Sequence, residues 1–173
     1  MKKLLFICIT LLVTSTSLIA NNFDKDIRGD WNYNISMPIF GELLGVSIKG
    51  KTNYMFNHKA NAIIEIGYTS KIKEANLENI FTIFVMEKWE IKDNMLYEEI
   101  LQSTIITNKE ILEKNPELKI LEELITKVYT KGMGDTVKIK SLTKNKFIVE
   151  SSGSEIISTR EIQDDVKFIN HIK

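Results

Sequence analysis

Residues 46–70 read VSIKGKTNYMFNHKANAIIEIGYTS, and this stretch decides the fold. Its two halves, 46–57 and 60–70, alternate apolar and polar residues with a period of two, the pattern of a strand with one buried face. The polar residues 57–59 between them form a break of the kind that closes a hairpin. The positions predicted to face inward are Val46, Ile48, Tyr54 and Phe56, then Ala62, Ile64, Ile66 and Tyr68.

The same alternation recurs in six other segments of the chain. Polar clusters such as 92–94 and 143–145 separate neighbouring segments and supply turn residues. About eight short strands joined in this way predict a mainly β protein, an antiparallel up-and-down barrel or a tight sandwich. The six further segments are 31–37, 81–91, 95–106, 137–142, 147–151 and 156–162.

One insertion, residues 107–131, is predicted to be helical and precedes the last three strands. Thr107 and Glu110 fit a capping box, and Asn115-Pro116 fits a helix restart with Pro in the first turn. Gly132 is the expected stop. The insertion either covers one end of the barrel or forms a movable lid over a cavity. Its apolar stripe, expected to be buried, is Leu118, Leu121, Ile125 and Val128.

The N-terminus has the pattern of a secretory signal peptide over residues 1–20. Lys2-Lys3 precede an apolar run, Leu4–Val13, which is too short to span a membrane. Cleavage is expected after Ala20, with Ser17 as the alternative. The pattern predicts a periplasmic or secreted protein without a stable membrane anchor, folded as one domain over residues 21–173.

The composition of the mature chain argues against two classes of partner. Cleavage removes two lysines and no acid, which leaves a net charge of about −2. Binding to nucleic acid or anionic lipid depends on a basic surplus, so neither is expected. Cys8 is the only cysteine and leaves with the signal, so no disulfide is expected despite the oxidising destination.

Catalytic residue patterns are missing from the sequence. The two histidines are His58, in a predicted turn, and His171, near the C-terminus, and no nucleophile-elbow sequence accompanies them. A zinc site would need carboxylates almost alone. We therefore expect neither an enzyme nor a metal or other cofactor.

Among the acidic residues, Glu87 lies in phase with Val85 and Trp89. This phase would point it into the barrel, where a charge requires a partner, but we favour the alternative that a bulge turns it outward. Glu98 and Glu99 lie on opposite faces of their strand, and both are expected to be solvated.

The loop predicted between the first two strands, Pro38–Gly45, is unusually apolar. It either lines a cavity entrance, forms an adhesive surface patch, or packs under the end of the barrel. Its large apolar residues are Ile39, Phe40, Leu43 and Leu44.

Residues 29–31, Gly-Asp-Trp, open the first strand, and Arg160 falls late in the last one. This pair resembles the G-x-W and terminal-arginine signature of lipocalins and lipocalin-like barrels. Residues 89–96 and 140–147 are similar to hairpins of the bacterial members. The resemblance makes Gly29, Trp31 and Arg160 structural residues. It implies that Trp31 seals the closed end of the barrel with Arg160 across its ring, and that the first loop folds over the open mouth.

The resemblance further implies binding of a small apolar or amphipathic ligand inside the barrel. Tyr54, Tyr68 and Glu87 would line that site together with the first loop. The alternative is a periplasmic protein–protein interaction module, an inhibitor or envelope assembly factor, with a filled core and no ligand. Its partner is not specified by the sequence.

Overall fold

The computed structural model describes residues 23–40, 44–70 and 75–160. Eight antiparallel strands, each hydrogen-bonded to the next and the last to the first, form one closed up-and-down barrel. The predicted fold class is confirmed. The strands are β1 (Gly29–Phe40), β2 (Leu44–Tyr54), β3 (Lys59–Ser70), β4 (Ala75–Lys92), β5 (Met95–Thr107), β6 (Gly134–Leu142), β7 (Lys146–Ser151) and β8 (Ser154–Thr159).

Period-two alternation explains which side chains fill the barrel. Along β3, buried residues alternate with more exposed ones from Lys59 to Ile66. The buried apolar side chains form two clusters. One, the upper apolar cluster, lies among β2–β5 and the helices and includes Ile64 and Phe81. The other lies towards the opposite end and includes Trp31 and Phe147.

The strands differ greatly in length, and this opens one side of the barrel. β4 has 18 residues, whereas β7 and β8 have 6 each. β6 pairs with β5 only over Met95–Glu99, and β8 pairs with β1 only at Asn32 and Tyr33. The upper part of β5, residues 101–107, therefore has β4 on one side and no described strand on the other.

The helical insertion follows β5, as predicted, and consists of three short pieces. These are α1 (Lys109–Lys114), a 3-10 turn (Pro116–Leu118) and α2 (Lys119–Val128). The predicted capping residue was wrong. Asn108 caps α1 by accepting a hydrogen bond from the backbone N–H of Ile111, because Thr107 still pairs with β4.

Two more details of the sequence interpretation need correction. Val128 belongs to the predicted buried stripe but is 57% exposed, because α2 ends there and the chain turns back towards β5. Phe56 was assigned to an inward position but is 80% exposed, because β2 ends at Tyr54. The Arg28 guanidinium lies 4.7 Å from the centroid of the Phe56 ring.

The closed end has the arrangement that the Gly-Asp-Trp pattern predicted. Trp31 is 1% exposed, and its indole N–H donates to the carbonyl of Ile27. The Arg160 guanidinium lies 4.6 Å from the Trp31 ring centroid and donates to the carbonyls of Asp26 and Arg28 at 2.6 and 2.7 Å. Gly29, at a positive φ of 110°, lets this guanidinium pass close to the backbone.

The predicted first loop is shorter than expected. β1 continues to Phe40 and β2 begins at Leu44, so Ile39, Phe40 and Leu44 belong to strand ends. Their side chains, all of Leu43, the signal segment 1–20 and His171 lie outside the described residues. Within the described ranges, no helix is both long and apolar enough to cross a membrane.

Candidate functional site

A belt of polar side chains lies inside the barrel where the inward residues of β2 and β3 are small. Tyr33 of β1 faces Gly50, and a side-chain carbon at Gly50 would lie 2.0 Å from the Tyr33 ring. Ala60 lies between Tyr54 on β2 and Glu87 on β4 in the strand register. The small residues thus leave room for two tyrosines and a carboxyl inside the barrel.

Glu98 on β5 is the second carboxyl of this belt. It faces Trp89 across the β4–β5 ladder, and the Tyr54 hydroxyl donates to its Oε1 at 2.6 Å. Ile100, its neighbour on the same face, is buried. Glu98 was expected to be solvated, and this prediction was wrong. The signal that was missed is the strand phase: Glu98 alternates in step with Leu96 and Ile100. Strand phase was considered for Glu87 but not for Glu98.

Glu87 points inward, in phase with Val85 and Trp89, so the favoured expectation that a bulge turns it outward was wrong. The strand register does shift beside it, but the extra residue is Leu101 on β5, so the shift does not turn Glu87 outward. Burial, reinforced by the neighbouring Glu98, raises the pKa of Glu87 to about 8. Glu87 is therefore mostly protonated at neutral pH.

Glu98 also has a raised pKa, caused mainly by burial. The hydrogen bond from Tyr54 opposes this rise in pKa, and nearby Asp135 adds to it. Among the described residues, no lysine, arginine or histidine pairs with the carboxyl of Glu87 or Glu98. Within the described part of the chain, the belt is therefore acidic and has no cation to compensate it.

Three tyrosines surround these carboxyls. Burial raises the pKa of Tyr33 and Tyr54 well above the ordinary range, and burial with nearby Glu87 raises the pKa of Tyr129 to about 12. All three hydroxyls therefore stay protonated at physiological pH; Tyr54 uses its proton in the hydrogen bond to Glu98.

A groove runs along the open side of the barrel, between the upper part of β5 and the helices. It consists of two adjoining cavities of about 560 and 600 Å³ that share Ile105, Thr107 and Glu122. The remaining residues that line the first cavity are Leu101, Gln102, Ser103, Thr126, Tyr129, Thr130 and Lys131; those of the second are Lys109, Leu112, Glu113, Pro116 and Lys119.

Two side-chain hydrogen bonds hold α2 across this groove. The Ser103 hydroxyl donates to the carbonyl of Tyr129, just after the helix ends. The Thr107 hydroxyl donates to Glu122 Oε1 at 3.0 Å, near the start of the helix. Below them, the backbone N–H groups of Gly132 and Ile100 donate to the carbonyls of Ile100 and Met133.

Tyr129 connects the groove with the polar belt. It lines the first cavity, packs against the upper apolar cluster, and lies close enough to Glu87 for that carboxyl to perturb its pKa. A molecule in the groove would therefore meet the edge of the buried polar belt at Tyr129.

A third cavity, of about 880 Å³, lies beside the β4–β5 turn and the start of β6. Charged and polar outward residues such as Lys88, Glu90 and Glu99 form much of its lining. It is a surface depression in which Trp89, Tyr97 and Leu101 are the large apolar side chains among charged and polar ones.

The predicted lining residues are brought together only in part. Tyr54 and Glu87 belong to the belt, whereas Tyr68 is buried in the upper apolar cluster. Tyr33 and Tyr129 were not predicted. Tyr33 shares a strand face with Trp31 and Ile35, and this alternation would have identified it. Tyr129 follows a helix, and no sequence pattern indicates where that part of the chain lies.

No protein-family model matches this sequence, and no curated protein is significantly similar to it. The closed eight-strand barrel is compatible with a lipocalin-like fold. In the described part of the chain, no group of three or more His, Cys, Asp or Glu residues is arranged to hold a metal ion.

Proposed function

We propose that this protein is an exported, lipocalin-like binding barrel that holds a small amphipathic molecule in the groove between β5 and α2. The observation that carries the proposal is the position of Tyr129, which lines the groove and borders the polar belt. The groove thus offers a ligand both an apolar wall and hydrogen-bonding groups.

The lining of the groove suits an amphipathic ligand. Leu101, Ile105 and Leu112 provide apolar surface, while Ser103 and Thr126 provide hydroxyls. Each cavity falls within the roughly 300–1,000 Å³ typical of small-molecule sites. Because the two apolar clusters already occupy much of the barrel, the proposed site lies at its open side rather than at its centre.

A filling substitution tests the location. The neutral fluorescent probe N-phenyl-1-naphthylamine is titrated into the mature protein and into Thr126→Trp, which places an indole in the first cavity. Lys127→Trp is the matched control, because its exposed neighbouring position does not line the groove. We expect Thr126→Trp to weaken probe binding at least about tenfold, a loss of about 1.4 kcal/mol, and the control to bind like the wild type.

Native mass spectrometry of the protein, purified from its own host without detergent, gives an independent readout. A co-purified small molecule that Thr126→Trp loses and Lys127→Trp keeps would support the proposal. Absence of probe binding to the wild type, together with an empty native spectrum, would contradict it.

A second candidate function, protein–protein interaction, is favoured by a different observation. Three large apolar residues on the outer side of α2 are solvent-exposed: Ile120 (68%), Leu124 (53%) and Val128 (57%). Their spacing of four residues places them on one face of the helix. Exposed apolar stripes of this kind mark interaction surfaces in soluble proteins.

A variant of this face separates the two candidates. Leu124→Glu should leave probe binding unchanged, because Leu124 does not line the groove. If the protein acts through a partner, the same variant should abolish a stoichiometric complex seen when the native protein is purified. A complex that survives Leu124→Glu would rule out this face as the contact surface.

A further inference from the structure

We infer that two copies of this chain associate through the outer face of α2, with the two helices antiparallel about a two-fold axis. The second candidate function rests on the same exposed stripe, so this inference depends on that candidate and names its partner. Binding of a small molecule is tested separately, because Glu122 and Thr126 line the groove from another side of the helix.

α2 has two apolar faces, and packing within the chain uses only one of them. Ile125 is buried in the upper apolar cluster, and Leu121 packs against that cluster. A helix that only covers a barrel needs one apolar stripe, with polar residues on its opposite side. The second stripe, Ile120, Leu124 and Val128, instead leaves more than half of each side chain exposed. Burial of this stripe against a partner would remove its apolar surface from water.

Two charged residues flank the stripe on one side. Glu123 and Lys127 are both exposed and lie about one helical turn apart. Glu110 and Lys114, which have the same spacing on α1, pair at 2.7 Å. No ion pair among the described residues includes Glu123 or Lys127. Both charges are therefore available to a partner.

A two-fold axis near the middle of α2 pairs these charges. In an antiparallel pair of identical helices the same flanks meet, and residues late in one helix lie beside residues early in the other. Glu123 then faces Lys127 of the partner subunit, and the symmetry repeats this pair with the roles exchanged. Along the stripe, Ile120 lies beside Val128 of the partner subunit, and the two copies of Leu124 meet near the centre. The face is thus complementary to itself in apolar pattern and in charge, which favours a second copy over an unrelated protein.

The contact is small, and its size sets the strength of the association. A standard interface buries about 800 Å² on each partner, more than three side chains of one short helix supply. α2 has 10 residues. We therefore expect a weak dimer, with a Kd on the order of 100 µM, that forms at high protein concentration.

Sedimentation velocity of the mature protein, from about 10 µM to about 1 mM, measures the association. We expect the wild type to pass from monomer to dimer across this range. Leu124→Glu should weaken the association at least about tenfold, because it places two carboxylates at the apolar centre. The control is Glu90→Lys, an exposed substitution on β4, which should associate like the wild type. A wild type that stays monomeric at the highest concentration would overturn the inference, even if another protein co-purifies with it.

Charge reversal tests the antiparallel arrangement, with circular dichroism to verify that each variant is folded. Glu123→Lys and Lys127→Glu each place like charges opposite each other, and each should weaken the association at least about fivefold. The double variant Glu123→Lys/Lys127→Glu restores opposite charges at both contacts without changing the net charge. It should recover the wild-type Kd to within about twofold. A folded double variant that associates no more strongly than the single variants would overturn the inference.

Discussion

At the scale of single residues, the closed end depends on the packing of Arg160 and Phe147 against Trp31. The guanidinium lies over one side of the indole, and the Phe147 ring centroid is 5.5 Å from that of Trp31. Arg160 also donates hydrogen bonds to two backbone carbonyls that precede β1. One indole therefore joins the start of the barrel to its last strand.

Replacement of Trp31 by alanine should destabilise the protein by about 3–5 kcal/mol, because it leaves a large cavity in a fully buried site. Urea denaturation followed by circular dichroism measures the change in the free energy of unfolding. Phe56→Ala is the matched control: that ring is exposed and contacts Arg28, a contact worth about 0.5–1 kcal/mol. A loss below about 1 kcal/mol for Trp31→Ala would show that the ring does not seal the barrel.

For single residues, the sequence was informative where one local pattern determined whether a side chain is buried and on which face it lies. Gly29, Trp31 and Arg160 were identified through the resemblance to the lipocalin signature, and an inward position for Glu87 was indicated by strand phase. Glu98 was missed because two adjacent glutamates suggest solvated charge, although on a strand adjacent residues necessarily face opposite sides. Tyr129 could not be found, because its position depends on how α2 lies against β5.

At the scale of elements, α2 occupies the place where a longer β6 would pair with β5. The sequence predicted a helical insertion with an apolar stripe, and Leu118 and Ile125 are indeed buried. It placed the end of β5 one residue early and did not predict the exposure of Val128. Both depend on pairing with β4 and on the return of the chain to Ile100, which are non-local contacts.

The double variant Ser103→Ala/Thr107→Val should loosen α2 selectively. It removes both side-chain hydrogen bonds from β5 to the helix, together worth about 1–3 kcal/mol. Amide exchange of residues 119–128 at neutral pH should rise about tenfold or more, with β2–β4 unchanged. Thr104→Val, at an exposed position on the same strand, is the control. Unchanged exchange in α2 would mean that apolar packing alone holds the helix.

At the scale of the whole molecule, alternation along the chain predicted the number of strands and their order, because each hairpin joins sequence neighbours. It did not predict the open side. β4 extends well beyond the segment 81–91 that alternation indicated, reaching back to Ala75, whereas β6–β8 remain short. The groove therefore arises from a mismatch of strand lengths that becomes visible only when the barrel closes.

The buried acids also make the stability of the entire barrel depend on pH. Glu87 has a pKa of about 8 in the folded protein against 4.5 as its ordinary value, and Glu98 is shifted in the same direction. Between these values the folded state binds more protons than the unfolded state, so stability falls as pH rises. The fall should run from about pH 5 to about pH 8, at no more than about 1.4 kcal/mol per pH unit for each group.

Urea denaturation at several pH values across that range measures this slope. Glu87→Gln removes one titrating group and should flatten the curve, so that the variant gains on the wild type as pH rises, whereas Glu90→Gln should follow the wild type. Identical slopes for wild type and Glu87→Gln would mean that the Glu87 carboxyl is as well solvated in the folded barrel as in the unfolded chain. Two buried carboxyls for which the described residues supply no cation are therefore measurable as a loss of stability on the alkaline side, independently of any ligand.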